Sequence, residues 1–349
     1  MNQHRNPIPT TDAILEYKQG NALGLILIER GKPPYGLAMP GGYHEEGLSG
    51  EENTIKECLE ETGLHAFTDV QNRAFRSMTS PTRDPRRHNI SNVYIVRGFG
   101  QAKAGDDAKG AAFYTPEQIQ SLILQNQFAF DHGEIMSEYL AHPEQCTTKR
   151  KWTLGIIGRF KPLHLGAASL LEKMCEQADN VLIGIGSSNQ HNVYNPFTAG
   201  QTIGMIDAHL SGSHSNYDFF TLPDFFNDEE WTEAAMAKLE GADIVVTGNG
   251  LVNDLLHPHF KMLHPKVLVT AHTECNGTAT RIAMAKGIDW EEAVSPAVLK
   301  YLQSHGLVQE FRQEFGPQTI ETFTHGSGNS WQEEAAKIDA MKRLHDGGA

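Results

Sequence analysis

The sequence predicts an α/β protein of two domains, an α/β/α sandwich followed by a Rossmann-like domain with a parallel sheet. The chain of 349 residues is long for one domain and sufficient for two. Two apolar segments, residues 23–28 and 152–158, each resemble the first buried strand of a domain. The polar segment 142–151 separates the two halves, so we expect domains over residues 1–146 and 149–349.

Composition narrows the functional class. The net charge of −14 disfavours nucleic-acid binding, because such binding depends on neutralisation of phosphates by Lys and Arg. No apolar run is long enough to cross a membrane, and the N-terminal residues lack the apolar core of a signal peptide. The four cysteines form no CxxC pair, which argues against a zinc site. We expect a cytoplasmic protein with small-molecule substrates and neither nucleic-acid nor membrane partners, and homo-oligomerisation stays open.

The two halves differ in their strand pattern. The first has several strands around one strong helix, which is typical of a sandwich. In the second, short β-branched strands are expected at residues 181–186, 244–247 and 267–270, separated by amphipathic stretches. This alternation predicts a parallel sheet covered by helices. A last helix is expected at about residues 331–344.

The strong helix of the first half carries an acidic face. Ser49 is the expected N-cap, Glu52 completes a capping box, and Gly63 ends the helix. Three glutamates at spacing i, i+3 and i+4 share one face, whereas three other residues are expected to point into a core. The glutamates are Glu57, Glu60 and Glu61, and the core residues are Ile55, Cys58 and Leu59.

Three clustered carboxylates have two interpretations. They can form a solvated acidic surface, or they can bind Mg²⁺ or Mn²⁺, since hard cations prefer oxygen ligands. The glycine-rich entry through Gly41 and Gly42 favours the second interpretation. From Gly42 to Gly63 the segment resembles the Nudix box of Nudix hydrolases, which implies that the three glutamates are catalytic metal ligands. It departs from that pattern at Leu48, where the family has a glutamate, and at Lys56, where the family has an arginine.

A second segment, residues 80–91, indicates a substrate. Taken alone, its Arg-Asp-Pro-Arg core is either a solvated turn or a binding loop for phosphate or adenine. It resembles the corresponding loop of Nudix ADP-ribose pyrophosphatases, as do residues 11–12, 39–42 and 130–132. The resemblance implies ADP-ribose as substrate, bound through Arg83 and Arg86.

The second half opens with a strand, a glycine turn and a helix N-terminus. This order either forms an anion site, through free backbone N–H groups, or is a packing turn. Arg159 and His164 add side-chain donors for phosphates, and Gly166 permits close backbone approach.

Most of residues 152–300 resembles the HxGH nucleotidyltransferases, and among them the archaeal-type nicotinamide mononucleotide adenylyltransferases. The motifs in family order include residues 195–200, 248–249, 277–281 and 287–290. The resemblance implies that ATP, nicotinamide mononucleotide and NAD are ligands and that His164 and Arg281 are catalytic. Phe197 and Trp231 suit a core equally well. The implied substrate-binding residues are Gly158, Arg159, Phe160, Gly166, Asn195, Phe197, Trp231, Asn249 and Thr278.

Two departures bear on turnover in the second half. Ala167 replaces the second histidine of HxGH, and Gln201-Thr202 replaces a Glu-Arg pair. Three hypotheses follow: a bifunctional enzyme, a hydrolase with a nucleotide-sensing second domain, or a regulator in which both halves only bind ligands. The intact glutamates argue against the third.

Overall fold

The computed structural model of the protein describes residues 6–69, 73–103, 108–142, 151–225, 227–269 and 275–324. The chain divides into two compact units, Met1–Lys151 and Trp152–Ala349. Residues 143–150 of the expected linker, and the helix expected at residues 331–344, lie outside the described residues. Within the described part, no helix is long and apolar enough to span a lipid bilayer.

The N-terminal unit is built on a mixed sheet. Its central path runs β3-β2-β1-β7-β5, with β4 pairing to β1, β6 to β7 and β8 to β2. The pair β1–β7 is parallel, and the other pairs are antiparallel. The strands are β1 (Ile8–Gln19), β2 (Ala22–Arg30), β3 (Leu37–Ala38), β4 (Gly41–Tyr43), β5 (His65–Phe67), β6 (Arg76–Met78), β7 (Asn89–Phe99) and β8 (Ala108–Tyr114).

The expectation that the strand at residues 23–28 comes first was wrong, because β1 precedes it and forms the centre of the sheet. The apolar pattern of β1 is interrupted by polar side chains that are nonetheless buried. These are Thr10, Thr11, Asp12 and Glu16. A buried strand with polar positions does not show the apolar run by which β2 was recognised.

Helices cover both faces of this sheet. The helix α1 (Gly50–Thr62) lies on one face, and α2 (Pro116–Leu124) and α3 (His132–Ala141) lie on the other. Successive side chains of β1 divide between them: Ala13 joins the core with Cys58, and Ile14 the core with Ile119. The predicted α/β/α sandwich is therefore confirmed.

The ends of α1 are as predicted, but one of its core residues is not. Ser49 forms a reciprocal capping box with Glu52, and Gly63 adopts a left-handed conformation with φ of 70°. Cys58 is fully buried, whereas Leu59 is 43% exposed. The prediction for Leu59 was wrong because the buried stripe of the helix passes through small polar residues. The stripe consists of Asn53, Thr54, Cys58 and Thr62.

The C-terminal unit contains a five-stranded parallel sheet, as predicted. Its order is β11-β10-β9-β12-β13. This order places the first strand beside the fourth, which creates a crevice at their carboxyl ends. The strands are β9 (Thr153–Gly158), β10 (Asn180–Ile185), β11 (Tyr217–Thr221), β12 (Ile244–Val246) and β13 (Lys261–Leu263).

The last predicted strand was wrong. Of residues 267–270, the first two lie in a helix of residues 265–268, and Thr270 lies outside the described residues. His264 caps this helix and Pro265 occupies its first turn, so the local signals override the β-branched pattern. The edge strand is β13 instead.

The remaining helices connect and flank these strands. Near the sheet, Leu239 packs with Leu222, Val245 and Leu256, and a side chain at Gly155 would meet Leu239 at 2.5 Å. The helices are α4 (Leu165–Gln177), α5 (Ala199–Leu210), α6 (Asp228–Lys238), α7 (Gly250–Leu256), α8 (Pro265–Leu268), α9 (Gly277–Lys286), α10 (Pro296–Ser304), α11 (Leu307–Glu314) and α12 (Gly316–Thr324).

Candidate active sites

In the N-terminal unit, α1 presents two glutamates to the glycine strand β4. The Gly41 amide donates a hydrogen bond to Glu61 Oε2 at 2.8 Å. A side chain at Gly41 would approach the Thr11 carbonyl oxygen to 2.3 Å, so that position requires glycine, and a side chain at Gly42 would displace Glu57, whose Oε1 would lie 2.4 Å away. The glycine pair thus lets two carboxylates approach the backbone of the neighbouring strand.

These two carboxylates carry perturbed pKa values. Burial raises the pKa of Glu57 to about 7, and the charge of Glu60 adds to the rise. Burial also raises the pKa of Glu61 to about 7, against the lowering effect of the Gly41 amide. Two half-buried oxygen donors with destabilised negative charge fit a divalent cation, which would stabilise both.

The third predicted ligand lies apart. Glu60 is exposed and binds Lys56 at 2.9 Å, and Lys56 also binds Glu45 at 2.8 Å. Across the described ranges, no three His, Cys, Asp or Glu side chains are gathered in a group that could hold a metal ion. The structure therefore brings Glu57 and Glu61 together at the glycine strand, while Lys56 engages Glu60.

Under the glycine strand lies a buried ionic network. Arg83 binds Asp131 through two hydrogen bonds of 2.9 Å and Asp12 through one of 3.3 Å. Asp12 also accepts a hydrogen bond from Ser91, and its Oδ2 lies 3.6 Å from His132 Nε2. Asp12 is buried, yet its pKa is lowered, because His132, Arg83 and Ser91 outweigh the cost of burial. Arg83, predicted from the sequence to bind substrate, has a side chain that is 4% exposed and engaged in this network.

Arg86 takes a different environment at the surface. Its guanidinium binds Asp84, with Nη2 to Oδ2 at 2.8 Å, and lies 5.3 Å from the centre of the Phe130 ring. Arg30, at the end of β2, lies 4.7 Å from the centre of the same ring. The sequence segments 83–86 and 130–132 are therefore in direct contact, through Arg83 with Asp131 and Arg86 with Phe130.

Sequence reasoning missed Arg30 and the ionic role of Asp12. Arg30 was assigned to the polar end of a strand, and nothing in its local sequence indicates that Phe130, 100 residues later, lies beside it. Asp12 belongs to the unrecognised strand β1. A charged residue within an otherwise buried strand was the signal that could have indicated it.

In the C-terminal unit, His164 begins α4. Its Nδ1 accepts a hydrogen bond from the Ala167 amide at 3.3 Å, which assigns the ring proton of the neutral form to Nε2. Burial, and then the charge of Arg281, lowers the pKa of His164 to about 4. At neutral pH the ring is therefore an uncharged N–H donor near the phosphate-loop segment 158–166.

The N-terminus of α9 meets the same loop. A side chain at Gly277 would lie 3.3 Å from Arg281 Nη1, 3.9 Å from the His164 ring and 3.9 Å from the Lys161 carbonyl oxygen. Arg281 donates to that carbonyl oxygen at 3.0 Å and to Thr278 Oγ1 at 3.1 Å. Two helix N-termini, the neutral imidazole of His164 and the guanidinium of Arg281 converge here, an arrangement suited to a polyphosphate.

Lys161 is a further basic residue at this loop that the sequence did not single out. Its side chain is buried, and its ammonium donates to the Ser187 carbonyl oxygen at 3.0 Å and to Asn195 Oδ1 at 3.4 Å. Burial lowers the pKa of Lys161 to about 8. Asn195, which the sequence assigned to substrate, lies 5% exposed with its amide bound to Lys161 and Asn192.

The other predicted ligand residues divide between core and crevice. Phe197 is 1% exposed and stacks on Phe311 with ring centres 5.8 Å apart, which favours the core interpretation. Trp231 is partly buried against the core beside the sheet.

Asn249 is exposed and caps α7 after β12, at the carboxyl end of the sheet. Gly158 ends β9, Arg159 and Gly166 are half-buried in the loop segment, and Phe160 is buried with φ of 51°.

The two departures have local explanations. Ala167 donates its amide to His164 and contributes no side-chain donor. Gln201 closes a capping box with Thr198, and Thr202 is fully buried with its hydroxyl bonded to the Thr198 carbonyl oxygen. Residues 201 and 202 are therefore used to begin α5.

Sequence comparisons match both units to known families. Residues 7–139 match the model of the NUDIX domain, and residues 156–274 match the cytidylyltransferase-like model. The chain is 34% identical over 161 residues to a nicotinamide-nucleotide adenylyltransferase of Methanosphaerula palustris, and 30% identical over 168 residues to one of Archaeoglobus fulgidus. Each match covers 95% of the relative and 46% of this chain.

Solved structures with a similar fold include a bifunctional NMN adenylyltransferase/ADP ribose pyrophosphatase of Francisella tularensis, complexed with AMP and a Mn ion. That match has 21% identity and a TM-score of 0.33, and it covers 41% of this chain and 42% of the other. A MutT/nudix family protein of Listeria innocua matches with 27% identity and a TM-score of 0.32, over 40% of this chain and 97% of that one. With TM-scores this low, the assignment rests on the sequence matches.

The parallel sheet and the paired helix N-termini define the C-terminal unit as a nucleotidyltransferase of the cytidylyltransferase-like class. More particularly, the chain belongs to the nicotinamide-nucleotide adenylyltransferase family, joined to an N-terminal Nudix domain. It is an enzyme, and the resemblances and fold class expected from the sequence are confirmed.

Proposed function

We propose that the protein is a bifunctional enzyme of NAD metabolism. The N-terminal unit hydrolyses ADP-ribose with water to AMP and ribose 5-phosphate. The C-terminal unit transfers the adenylyl group of ATP to nicotinamide mononucleotide, giving NAD and pyrophosphate. The observation that carries the proposal is the presence of two sites on one chain, one in each unit: the Glu57–Glu61 pair on a glycine strand, and the His164–Arg281 pair at two helix N-termini.

For the hydrolase, Glu57 and Glu61 would hold a divalent cation, with Mg²⁺ or Mn²⁺ as the ions that suit oxygen ligands. Such a cation lowers the pKa of water and compensates the charge of a pyrophosphate. Glu60 is one turn away on the same helix, in reach of solvent. The protein's own contribution is to fix Glu61 through the Gly41 amide and to hold the glycine strand over Asp12.

For the transferase, His164, Thr278 and Arg281 would bind the phosphates of ATP. The reaction needs no covalent intermediate, so orientation of the α-phosphate towards the attacking phosphate, and stabilisation of charge on the leaving pyrophosphate, are the main contributions. Neutral His164 can donate its Nε2 proton in a hydrogen bond, while Arg281 supplies positive charge. Asn249 and Trp231 would lie on the nicotinamide side.

A second candidate function is favoured by Ala167. Removal of one preorganised donor costs roughly 10²–10³ in rate, so the C-terminal unit would then bind nucleotide as a sensor without rapid turnover. Lys161 and Arg281 keep positive charge in the phosphate-loop region, and on that ground we expect turnover.

Product analysis on the full chain tests both activities. ADP-ribose with Mg²⁺ should yield AMP, and ATP with nicotinamide mononucleotide should yield NAD. The variant Ala167→His should change the rate of NAD formation by less than tenfold if other groups compensate. A rise of about 10²–10³, from a wild-type rate near zero, would instead favour the sensor. Absence of AMP from the first reaction would reject the hydrolase proposal.

A further inference from the structure

Two arginines assigned to substrate binding in the N-terminal unit are already engaged. Arg83 has a side chain that is 4% exposed, and it is bound by both Asp131 and Asp12. Arg86 donates hydrogen bonds to both oxygens of Asp84. A guanidinium that binds a new anion must either have free N–H groups or release an existing partner, which costs free energy.

Arg30 differs from both. Its Nε donates to the Pro34 carbonyl oxygen at 2.8 Å, and its guanidinium lies 4.7 Å from the centre of the Phe130 ring. In the part of the chain that the structure describes, no carboxylate lies within ion-pair distance of Arg30. The bond to Pro34 and the contact with the ring orient the group, and its two terminal nitrogens remain as donors.

Arg30 lies close to the catalytic helix, and its charged neighbours are Arg86 and the carboxylates of Glu61, Asp84 and Asp12. Arg86 lies over the same Phe130 ring, and burial together with the charge of Arg86 lowers the pKa of Arg30. Arg30 in turn acts electrostatically on Glu61. Two neighbouring guanidiniums, of which Arg30 has no directly bonded carboxylate among the described residues, can bind one anion between them.

Phe130 is held in place by its neighbours in sequence. It adopts a left-handed backbone conformation with φ of 56°, which is unfavourable for a residue other than glycine. Asp131 binds Arg83, and His132 Nδ1 accepts from the Met39 amide at 3.0 Å. The ring is therefore a fixed support for Arg30.

We propose that Arg30, supported by Phe130, is a substrate-binding residue that contacts the pyrophosphate oxygens of the substrate in the N-terminal unit. Arg83 is then a positioning residue, which holds Asp131 and Asp12 beneath the site. The inference rests on the proposed hydrolysis of a pyrophosphate bond. It adds Arg30, a residue outside both the acidic helix and the Arg-Asp-Pro-Arg turn, to the groups that bind the anion.

The test compares Arg30→Gln and Arg30→Lys with wild type in the full chain. Arg76→Gln is a matched control, since Arg76 is an exposed arginine of the same unit and pairs with Glu138. Steady-state kinetics measures KM for ADP-ribose. In calorimetric titration with inorganic pyrophosphate, the difference between variant and wild type reports the N-terminal site, because the C-terminal unit, which also binds pyrophosphate, is identical in both. Removal of one charge-assisted contact should weaken pyrophosphate binding and raise KM by about 10- to 100-fold in Arg30→Gln. Arg30→Lys should show a smaller loss of pyrophosphate binding than Arg30→Gln, because lysine keeps the positive charge but lacks the paired N–H donors of the guanidinium.

Pyrophosphate affinity and KM that equal those of wild type in Arg30→Gln would overturn the inference, as would a loss of melting temperature alone. Should Arg30→Gln fail to fold, Phe130→Leu removes the supporting ring and keeps the charge, and it should weaken pyrophosphate binding by a smaller factor. A wild-type protein that binds pyrophosphate through Arg30 but does not hydrolyse ADP-ribose would reject the proposed substrate and support the anion site.

Discussion

Glu57 and Glu61 combine burial with negative charge, and a glycine strand makes their position feasible. Because Glu61 accepts a hydrogen bond from the Gly41 amide, its orientation is fixed by the backbone. The spacing of these glutamates, the glycine pair and the capping residues could all be read from local sequence. The partners of Arg83 and Lys161 could not, since they lie 26 to 71 residues away in the chain.

The substitution Glu61→Gln tests the role of this charge. Glutamine keeps an oxygen that can accept from the Gly41 amide, so the fold should persist, but the negative charge is lost. We expect the rate of ADP-ribose hydrolysis in the presence of Mg²⁺ to fall by at least about 10²-fold, as for loss of a preorganised electrostatic group. Glu46→Gln, at an exposed glutamate between β4 and α1, is the control and should retain full activity. Equal rates for Glu61→Gln and wild type would remove Glu61 from the catalytic site.

His164 predicts a pH dependence of stability in the C-terminal unit. Its folded pKa of about 4 lies below the unfolded value of about 6.5, so the unfolded chain binds the proton more readily. The contribution of His164 to stability is therefore complete above pH 6.5 and is lost as the pH falls from 6.5 towards 4. All four tryptophans lie in the C-terminal half, so tryptophan fluorescence during urea unfolding reports this unit.

The variant His164→Gln has no group that titrates at this position. Between pH 7.5 and 4.5 its unfolding free energy should fall less steeply than that of wild type. The same decline in both proteins would show that His164 is not buried in its neutral form.

At the scale of elements, α1 illustrates what a sequence determines locally. Its capping box and glycine stop involve neighbours within four residues, and they were predicted correctly. Which face of the helix is buried depends on how it packs against the sheet, and local sequence does not specify this packing. Leu59 was therefore assigned to the buried face although it is exposed. At residues 265–268 the local signals were present in the sequence, but the prediction followed the β-branched pattern instead. There a proline and a capping histidine decided the local structure against the β-branched pattern.

The capping box gives a measurable prediction. Ser49→Ala removes the acceptor for the Glu52 amide and should destabilise the start of α1 by about 1 kcal/mol. In hydrogen–deuterium exchange, the amides of residues 50–62 should then exchange about fivefold faster. Ser49→Asp provides an alternative cap and should stay near wild type. Unchanged exchange in Ser49→Ala would mean that the capping box does not stabilise the helix.

At the scale of the whole molecule, two sheets of different type form two separate cores. The parallel sheet was predictable because its strands are short apolar runs separated by helices. The mixed sheet was less predictable from the sequence. Its central strands β1 and β7 are about 80 residues apart in the chain, and no local pattern specifies that they pair.

Domain independence remains a prediction from the polar segment near residue 143. Fragments 1–146 and 149–349 should each unfold cooperatively, and the calorimetric trace of the full chain should equal the sum of theirs. The first fragment should hydrolyse ADP-ribose, and the second should form NAD. Fragments that are both insoluble, or that melt without cooperativity, would contradict the proposed boundary.

The ionic network around Asp12 has a consequence for biosynthesis. Asp12 lies near the beginning of the chain, Arg83 follows 71 residues later, and Asp131 and His132 come near the end of the N-terminal unit. During translation, the nascent chain therefore carries a carboxylate in β1 whose partners have not yet been synthesised. The hydrolase site is completed only when the ribosome has nearly finished this unit, and until then the uncovered edge of β1 is a surface that chaperones would recognise.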